Sequence, residues 1–138
     1  MRKIFDAFAV LCWMQGEPGA AYVEHLMAEA EKGIIEIMIS AINVGEVYYR
    51  LLKSGQAEAA ASFQADVKNK VFPWRVVPAS NRRIWLAATL KSRYSISYAD
   101  AFAIALGVEF GGELVTRDPE ILRIAAAAEL ALDPLPVE

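Results

Sequence analysis

The chain has little with which to cross-link itself or to hold zinc: one cysteine, Cys12, and one histidine, His25, among 138 residues. A lone cysteine forms no internal disulfide, and the pair falls short of the four nitrogen or sulfur ligands of a structural zinc site. Cys12 stands among Leu11, Trp13 and Met14 and reads as a buried structural thiol. His25 reads as a surface residue beside Glu24 and Glu29, and no serine or cysteine motif accompanies it, which excludes a nucleophilic triad. Long apolar runs are missing too. The longest, Ala7–Met14 and Ile124–Ala128, fall well short of the roughly 18–20 residues a membrane span needs. Asp6 interrupts the apolar stretch after Met1-Arg2-Lys3, so the start does not read as a signal peptide, and the expected location is the cytoplasm with no membrane contact. Repeats, low-complexity segments and linkers are absent, and the length fits one domain over residues 1–138.

What is present is an apolar-rich, folded chain. Apolar residues make up 56% and charged residues 22%, which excludes disorder and suggests surplus apolar surface buried against a partner or a second copy. Net charge is −3, from 14 basic and 17 acidic residues, which argues against nucleic-acid binding by bulk charge alone. It leaves room for acids held in a metal site with basic residues around it.

Strand and helix patterns alternate along the chain. Lys3–Phe5 reads as a strand, followed by a helix from about Phe8 to Met14 and a Gly/Pro turn over residues 16–19. A helix over Ala20–Lys32 stops at Gly33, and Ile34–Ile39 reads as a β-branched strand ending at Ser40. Ser40 is placed to cap a helix that runs to Gly55, and another helix spans about Ala57–Lys68. Arg75–Val77 is a third strand, Asn81–Tyr94 a helix, and Ser97 opens the next helix. Glu113–Thr116 is a fourth strand, Pro119 starts a last helix ending near Ala128, and Asp133–Pro136 supports no more than a short edge strand. Strands separated by helices need crossover connections, hence a parallel sheet covered on both faces. In such sheets functional groups gather at the carboxyl ends of the strands, where strand order reverses.

Four acids fall near that edge. Asp6 follows the first strand, Asp118 lies two residues past the fourth, Glu46 is two turns into the helix after Ser40, and Asp100 is in the first turn after Ser97. Asp6 and Asp118 also suit helix caps, and Ser97 with Asp100 resembles a capping box. Glu46, surrounded by Ile42, Val44, Val47 and Tyr49, is harder to account for as a structural residue; an Arg50 partner at i+4 would contribute only about 0.2–0.5 kcal/mol. Carboxylates converging on one crevice repel one another unless a cation lies between them. Hard divalent ions such as Mg²⁺ or Mn²⁺ take oxygen ligands, and a ligand set without histidine favours phosphodiester chemistry over a zinc hydrolase.

The segments Phe5-Asp6-Ala7, Ser40-Ala41-Ile42-Asn43-Val44-Gly45-Glu46-Val47, Ser97-Tyr98-Ala99-Asp100-Ala101 and Leu114-Val115-Thr116-Arg117-Asp118, in that order and spacing, resemble a PIN domain, and within it the small VapC-type toxins of toxin–antitoxin modules. The resemblance covers essentially the whole chain. It implies a three-layer α/β/α fold with a central parallel sheet, and an endoribonuclease that uses Mg²⁺ or Mn²⁺. It further implies a catalytic cluster of Asp6, Glu46, Asp100 and Asp118, with Asp6 and Asp100 as the firmest metal contacts and Asp118 acting through water. Thr116 matches a supporting hydroxyl residue, and Asn43 and Ser97 are expected to donate hydrogen bonds around the ligands. A departure is Phe8, where such proteins often carry a small hydroxyl residue.

Arg117, Arg82 and Arg83 are candidates to contact RNA phosphates, as are Lys91 and Arg93. Trp74 and Trp85 suit base stacking but are expected in the core. The aromatic and aliphatic load of the first four helices (Trp13, Tyr22, Leu26, Tyr48, Tyr49, Leu52 and Phe63) is expected to supply a homodimer face and a groove for a small antitoxin. Two rivals remain: a non-catalytic PIN-like module that binds RNA or a partner, and a phospho-acceptor receiver domain. The receiver lacks support from an acidic neighbour of Asp6 or a lysine after the last strand.

Overall fold

The computed structural model describes residues 1–137. Its elements alternate as expected: β1 Arg2–Phe5, α1 Ala7–Met14, α2 Ala20–Glu31, β2 Glu36–Ser40, α3 Ala41–Lys53, α4 Ala57–Lys68, β3 Trp74–Val77, α5 Asn81–Arg93, α6 Tyr98–Phe110, β4 Glu113–Thr116, α7 Pro119–Ile124 and β5 Leu132–Pro134. All strand pairs are parallel and the order is β3-β2-β1-β4-β5. The chain builds outward from β1 to β3 and then returns to the other side of β1 to lay down β4 and β5. A reversal of strand order therefore falls between β1 and β4. The receiver-type order, 2-1-3-4-5, is a different one, and that rival falls with it.

Period-two alternation divides the core. Phe5, Ile37, Ile39 and Val115 face one way, onto buried residues of α1 to α4, among them Val10, Leu26, Val47 and Phe63. Ile4, Met38 and Leu114 face the other, onto Ala87 of α5, Phe102 and Ile104 of α6 and Ile121 of α7. Two helical layers thus sandwich one sheet, which is the three-layer α/β/α arrangement.

Two boundaries depart from the sequence expectation. β2 begins at Glu36, not at Ile34, because the end of α2 uses the intervening residues. Gly33 takes a left-handed conformation (φ 76°) and donates to Ala30, while the Ile34 amide returns to the Glu29 carbonyl, leaving Ile34 57% exposed. The last helix ends at Ile124; residues 125–129 continue only as hydrogen-bonded turns, closed by Leu130 donating to Ala125.

The short β5 is held from outside its own ladder. Lys3, buried in β1, donates to Glu113 at 2.6 Å and to Asp133 at 2.7 Å, and the Tyr22 hydroxyl also donates to Asp133. Burial opposes the Lys3 charge, but the two carboxylates outweigh it and raise its pKa. Gly19 (φ 102°) admits the segment that follows β5: a Cβ there would meet the Pro136 carbonyl at 3.1 Å and Cys12 Sγ at 3.3 Å. No helix among the described residues is long and apolar enough to cross a membrane.

Candidate metal centre

All the candidate side chains but Glu46, which lies inside α3, are set by a strand end or the first turn of a helix. Asp6 follows β1 and caps α1, its Oδ1 accepting from the Ala9 amide at 2.8 Å. Its Oδ2 accepts from the Thr116 hydroxyl, which in turn accepts from the Asp118 amide at 2.9 Å. Thr116 thereby links the ends of β1 and β4, the two strands on either side of the order reversal. Asp118 caps α7, accepting from Glu120 at 2.9 Å, with Pro119 at the first helical position. Ser97 caps α6 by accepting from the Asp100 amide at 3.1 Å. Only that half of the capping box forms, and Asp100 Oδ2 is buried without a hydrogen-bond partner.

Asn43, fully buried on α3, donates to the Ala99 carbonyl at 3.1 Å and so braces the turn that carries Asp100. Glu46 is half-buried, and Arg50 pairs with it at 3.1 Å. The surroundings of Glu46 are less apolar than its neighbours in sequence suggest. Ile42 and Tyr49 are 36% and 54% exposed, so the Arg50 partner that sequence reasoning set aside is present and Glu46 is no stranded charge.

Asp100, Asp118 and Glu46 line one pocket of about 320 Å³, together with Phe8, Leu11 and Arg50. Carboxylate oxygens of Asp100, Asp118 and Glu120 come within 4.8 Å of one another. Glu120 was missed from sequence; its signal is Asp118-Pro119-Glu120, in which a proline at the first helical position puts Glu120 in the opening turn beside Asp118. Asp6 lies deeper, with both oxygens hydrogen-bonded, yet its charge still interacts with those of Asp118 and Glu46.

Electrostatics favours a cation here. Burial raises the Asp6 pKa to about 7; the Thr116 and Ala9 hydrogen bonds oppose the rise, and Asp118 and Glu46 add to it. Burial and then Asp118 raise Asp100 to about 8, opposed by a side-chain hydrogen bond with Ser97. Burial, reinforced by neighbouring carboxylates, holds both carboxyl groups above their usual range, an arrangement that a bound cation would relieve. An all-oxygen donor set with one buried, unpartnered carboxylate oxygen fits a hard divalent ion.

The basic candidates are arranged differently. Arg117 donates through Nε to the Leu135 carbonyl at 2.6 Å, fastening the segment after β5. Arg83 makes two 2.9 Å bonds to Glu109 and a third, of 3.1 Å, to the Pro78 carbonyl. Neither Arg82 nor Arg83 lines the acidic pocket; the cation that does is Arg50. Lys91 donates to the Ile96 carbonyl at 2.9 Å. Trp74 packs in an aromatic cluster, stacked 4.4 Å from Phe72, as expected of a core residue. Trp85 does not: it is 73% exposed, because α5 turns Ala87 inward and Trp85 outward.

Solved structures of similar fold cover nearly the whole chain. VapC20 of Mycobacterium tuberculosis, described as a sarcin–ricin loop cleaving toxin, superposes with a TM-score of 0.69 at 18% identity, over 93% of this chain and 95% of that one. VapBC2 of Rickettsia felis, bound to a promoter DNA fragment, gives 0.68 at 17% identity, over 97% and 98%. FitAcB of Neisseria gonorrhoeae gives 0.67 at 18% identity, over 94% and 95%. Comparison with curated protein sequences returns no match. The PIN domain model matches residues 3–127, a span that takes in all four acids and both strands flanking the order reversal, and the chain belongs to the PIN domain family.

Proposed function

We propose that this protein is a metal-dependent endoribonuclease, the toxin of a toxin–antitoxin pair, that hydrolyses RNA phosphodiester bonds with Mg²⁺ or Mn²⁺. The observation that carries the reading is the buried, unpartnered Asp100 Oδ2 beside Asp118 and Glu120 in a pocket that Glu46 also lines. Asp100 and Asp118 would hold the ion, with Asp6 beneath them and Glu120 a further oxygen donor. Such an ion supplies Lewis-acid stabilisation of a phosphate and lowers the pKa of a bound water. The protein's own part is orientation. Thr116 holds Asp6 and the Asp118 amide together, Asn43 fixes the turn of Asp100, and Ser97 anchors the same turn. Arg50 offers the pocket a cation for a phosphate, and Glu46 holds that guanidinium in place. Phe8 narrows the pocket on the α1 side.

Purified protein with RNA and Mg²⁺ or Mn²⁺ tests this, alongside Asp6→Asn and Asp100→Asn. The expected result is cleavage by the wild type alone, abolished by chelation; cleavage that persists in both variants or without metal overturns the assignment. In cells, induced expression should arrest growth and Asp100→Asn should not.

The reading includes a homodimer and an antitoxin. Of the apolar load on the first four helices, Leu26 and Phe63 are buried and Trp13, Tyr22 and Tyr48 pack against the core. Tyr49 and Leu52 remain exposed, at 54% and 46%, and with Ile42 they form an a/d-spaced stripe along α3 suited to a second copy. Light scattering on Tyr49→Glu/Leu52→Glu should give half the wild-type mass; an unchanged mass sends the dimer face elsewhere.

A further inference from the structure

The arginines placed away from the pocket do not scatter over the surface. The guanidinium carbons of Arg75, Arg83 and Arg2 lie 5.3, 5.7 and 6.0 Å from the centre of the Phe110 ring. They come from β3, α5 and β1, so only the tertiary fold assembles them. Arg82, exposed next to Arg83, is the fourth; it and Arg75 add to the pull of Arg83 in lowering the Glu109 pKa. Two of the four have carboxylate partners, Arg2 with Glu36 at 3.3 Å and Arg83 with Glu109 at 2.9 Å. Arg75 and Arg82 have none among the described residues, leaving the patch with an excess of two positive charges in a chain of net charge −3.

Guanidinium groups gathered on one ring repel one another, and at an exposed site the ring face offsets that repulsion only weakly. Arg75 and Arg82 keep their donors facing solvent. Arg2 and Arg75 also border an open crevice of about 660 Å³ at the starting ends of β1, β2 and β3. Arg2 opens β1 and Asp6 follows its end, so these two residues stand roughly 13 Å apart along that strand at about 3.3 Å per residue, with the patch at one end and the acid pocket beyond the other.

We infer that Arg2, Arg75 and Arg83, clustered around Phe110, together with the neighbouring Arg82 form a second phosphate-binding surface that holds the backbone of a structured RNA while its scissile bond lies in the acidic pocket. This rests on the ribonuclease reading and deepens it: the substrate is an RNA long enough to reach from the carboxyl ends of the strands to their starting ends. Contacts made through guanidinium groups on phosphates carry no base specificity, so the surface contributes affinity and salt dependence, and sequence selection is left to the pocket.

The test is a charge reversal at the two unpaired positions, Arg75→Glu/Arg82→Glu, with Arg75→Ala/Arg82→Ala as a milder companion. Binding is read by fluorescence anisotropy in EDTA, over a salt series, for an RNA hairpin and for a short single-stranded oligonucleotide. Cleavage of both RNAs with Mn²⁺ is read in parallel. The reversal should weaken hairpin binding by about tenfold or more, and the alanine pair should lower the salt slope by about 1 to 2. Short-oligonucleotide binding and cleavage should stay within twofold of wild type. Hairpin affinity and slope that do not move, or equal losses on both RNAs, overturn the inference. A protein that cleaves RNA but ignores the patch variants retains the nuclease reading and loses this one; patch-dependent hairpin binding by a wild type that cleaves nothing does the reverse.

Discussion

The Thr116 hydroxyl has two jobs, since its proton goes to Asp6 and its lone pair takes the Asp118 amide. Replacing it by valine leaves a buried carboxylate and a backbone donor unsatisfied at once. Thr116→Val should therefore lower stability by about 1–3 kcal/mol in urea melts. It should also weaken Mn²⁺ binding by about 10–100-fold in titration calorimetry, through loss of ligand orientation. Thr116→Ser keeps the hydroxyl and should restore most of both; a serine variant as impaired as valine would show that the methyl group, not the hydrogen bonds, matters. Asp100→Asn replaces one carboxylate oxygen by a donor and should abolish Mn²⁺ binding with the fold intact. Residue-scale chemistry of this kind was partly visible in the sequence. Asp6, Asp100 and Asp118 were each placed by a strand end or a cap signal, because such signals act within three or four residues. Glu46 was singled out for an apolar environment that the fold does not provide, since Ile42 and Tyr49 point outward.

At the scale of elements, the weakest-looking piece is fastened by side chains from outside its ladder. β5 has three residues, one a proline, and its attachment depends on Lys3 as much as on its ladder with β4. Lys3→Ala would leave Asp133 and Glu113 without their cation and should cost about 1.5–3 kcal/mol, the range for hydrogen bonds to charged groups. Amide exchange should localise the loss to residues 132–135; uniform loss across β1 and β2 would instead mean that Lys3 supports the whole sheet. Asp133 also accepts from Tyr22, whose pKa burial and that bond push up to about 12. The start of β2 and the end of the last helix were misjudged from sequence for a common reason. Apolar character continues past the point where backbone hydrogen bonding stops, as at Ile34, whose amide belongs to the end of α2.

For the whole molecule, the strand order sets the site. Because β4 is laid beside β1 and not beside β3, Asp6 and Asp118 emerge from adjacent strand ends, and Thr116 can bridge them. The acids brought together in this way should make the metal-free fold pH-sensitive. Folded Asp6 and Asp100 titrate at about 7 and about 8, above the roughly 3.9 of an unfolded aspartate. The folded state therefore binds more protons than the unfolded one between these values. The contribution of the two groups is fully present below about pH 4 and is lost as pH rises toward 8. Thermal melts in EDTA should show Tm falling from pH 5 to pH 8, with a shallower fall in Asp100→Asn. Added Mn²⁺ should raise Tm more at pH 8 than at pH 5, because it binds the ionised forms. A flat EDTA profile would show that the acids are less desolvated than their surroundings imply.

The alternation of strand and helix, the capping residues and the four acids followed from the sequence by itself, because each depends on contacts among near neighbours or on a repeat of 2 or 3.6 residues. The likeness to PIN domains followed as well, since its motifs are short and ordered along the chain. Which acids share a pocket did not: Glu120 joins Asp100 only when β4 and α6 lie side by side. Nor did the fate of the arginines, because Arg83 reaches Glu109 and the Phe110 ring across a gap of 26 residues that no local pattern encodes. The carboxylate cluster expected from the sequence takes the form of a pocket lined by Glu46, Asp100 and Asp118, with Asp6 buried beside it. Long-range placement is a property of the packed sheet and helices, and it decided which charges face a cation and which face each other.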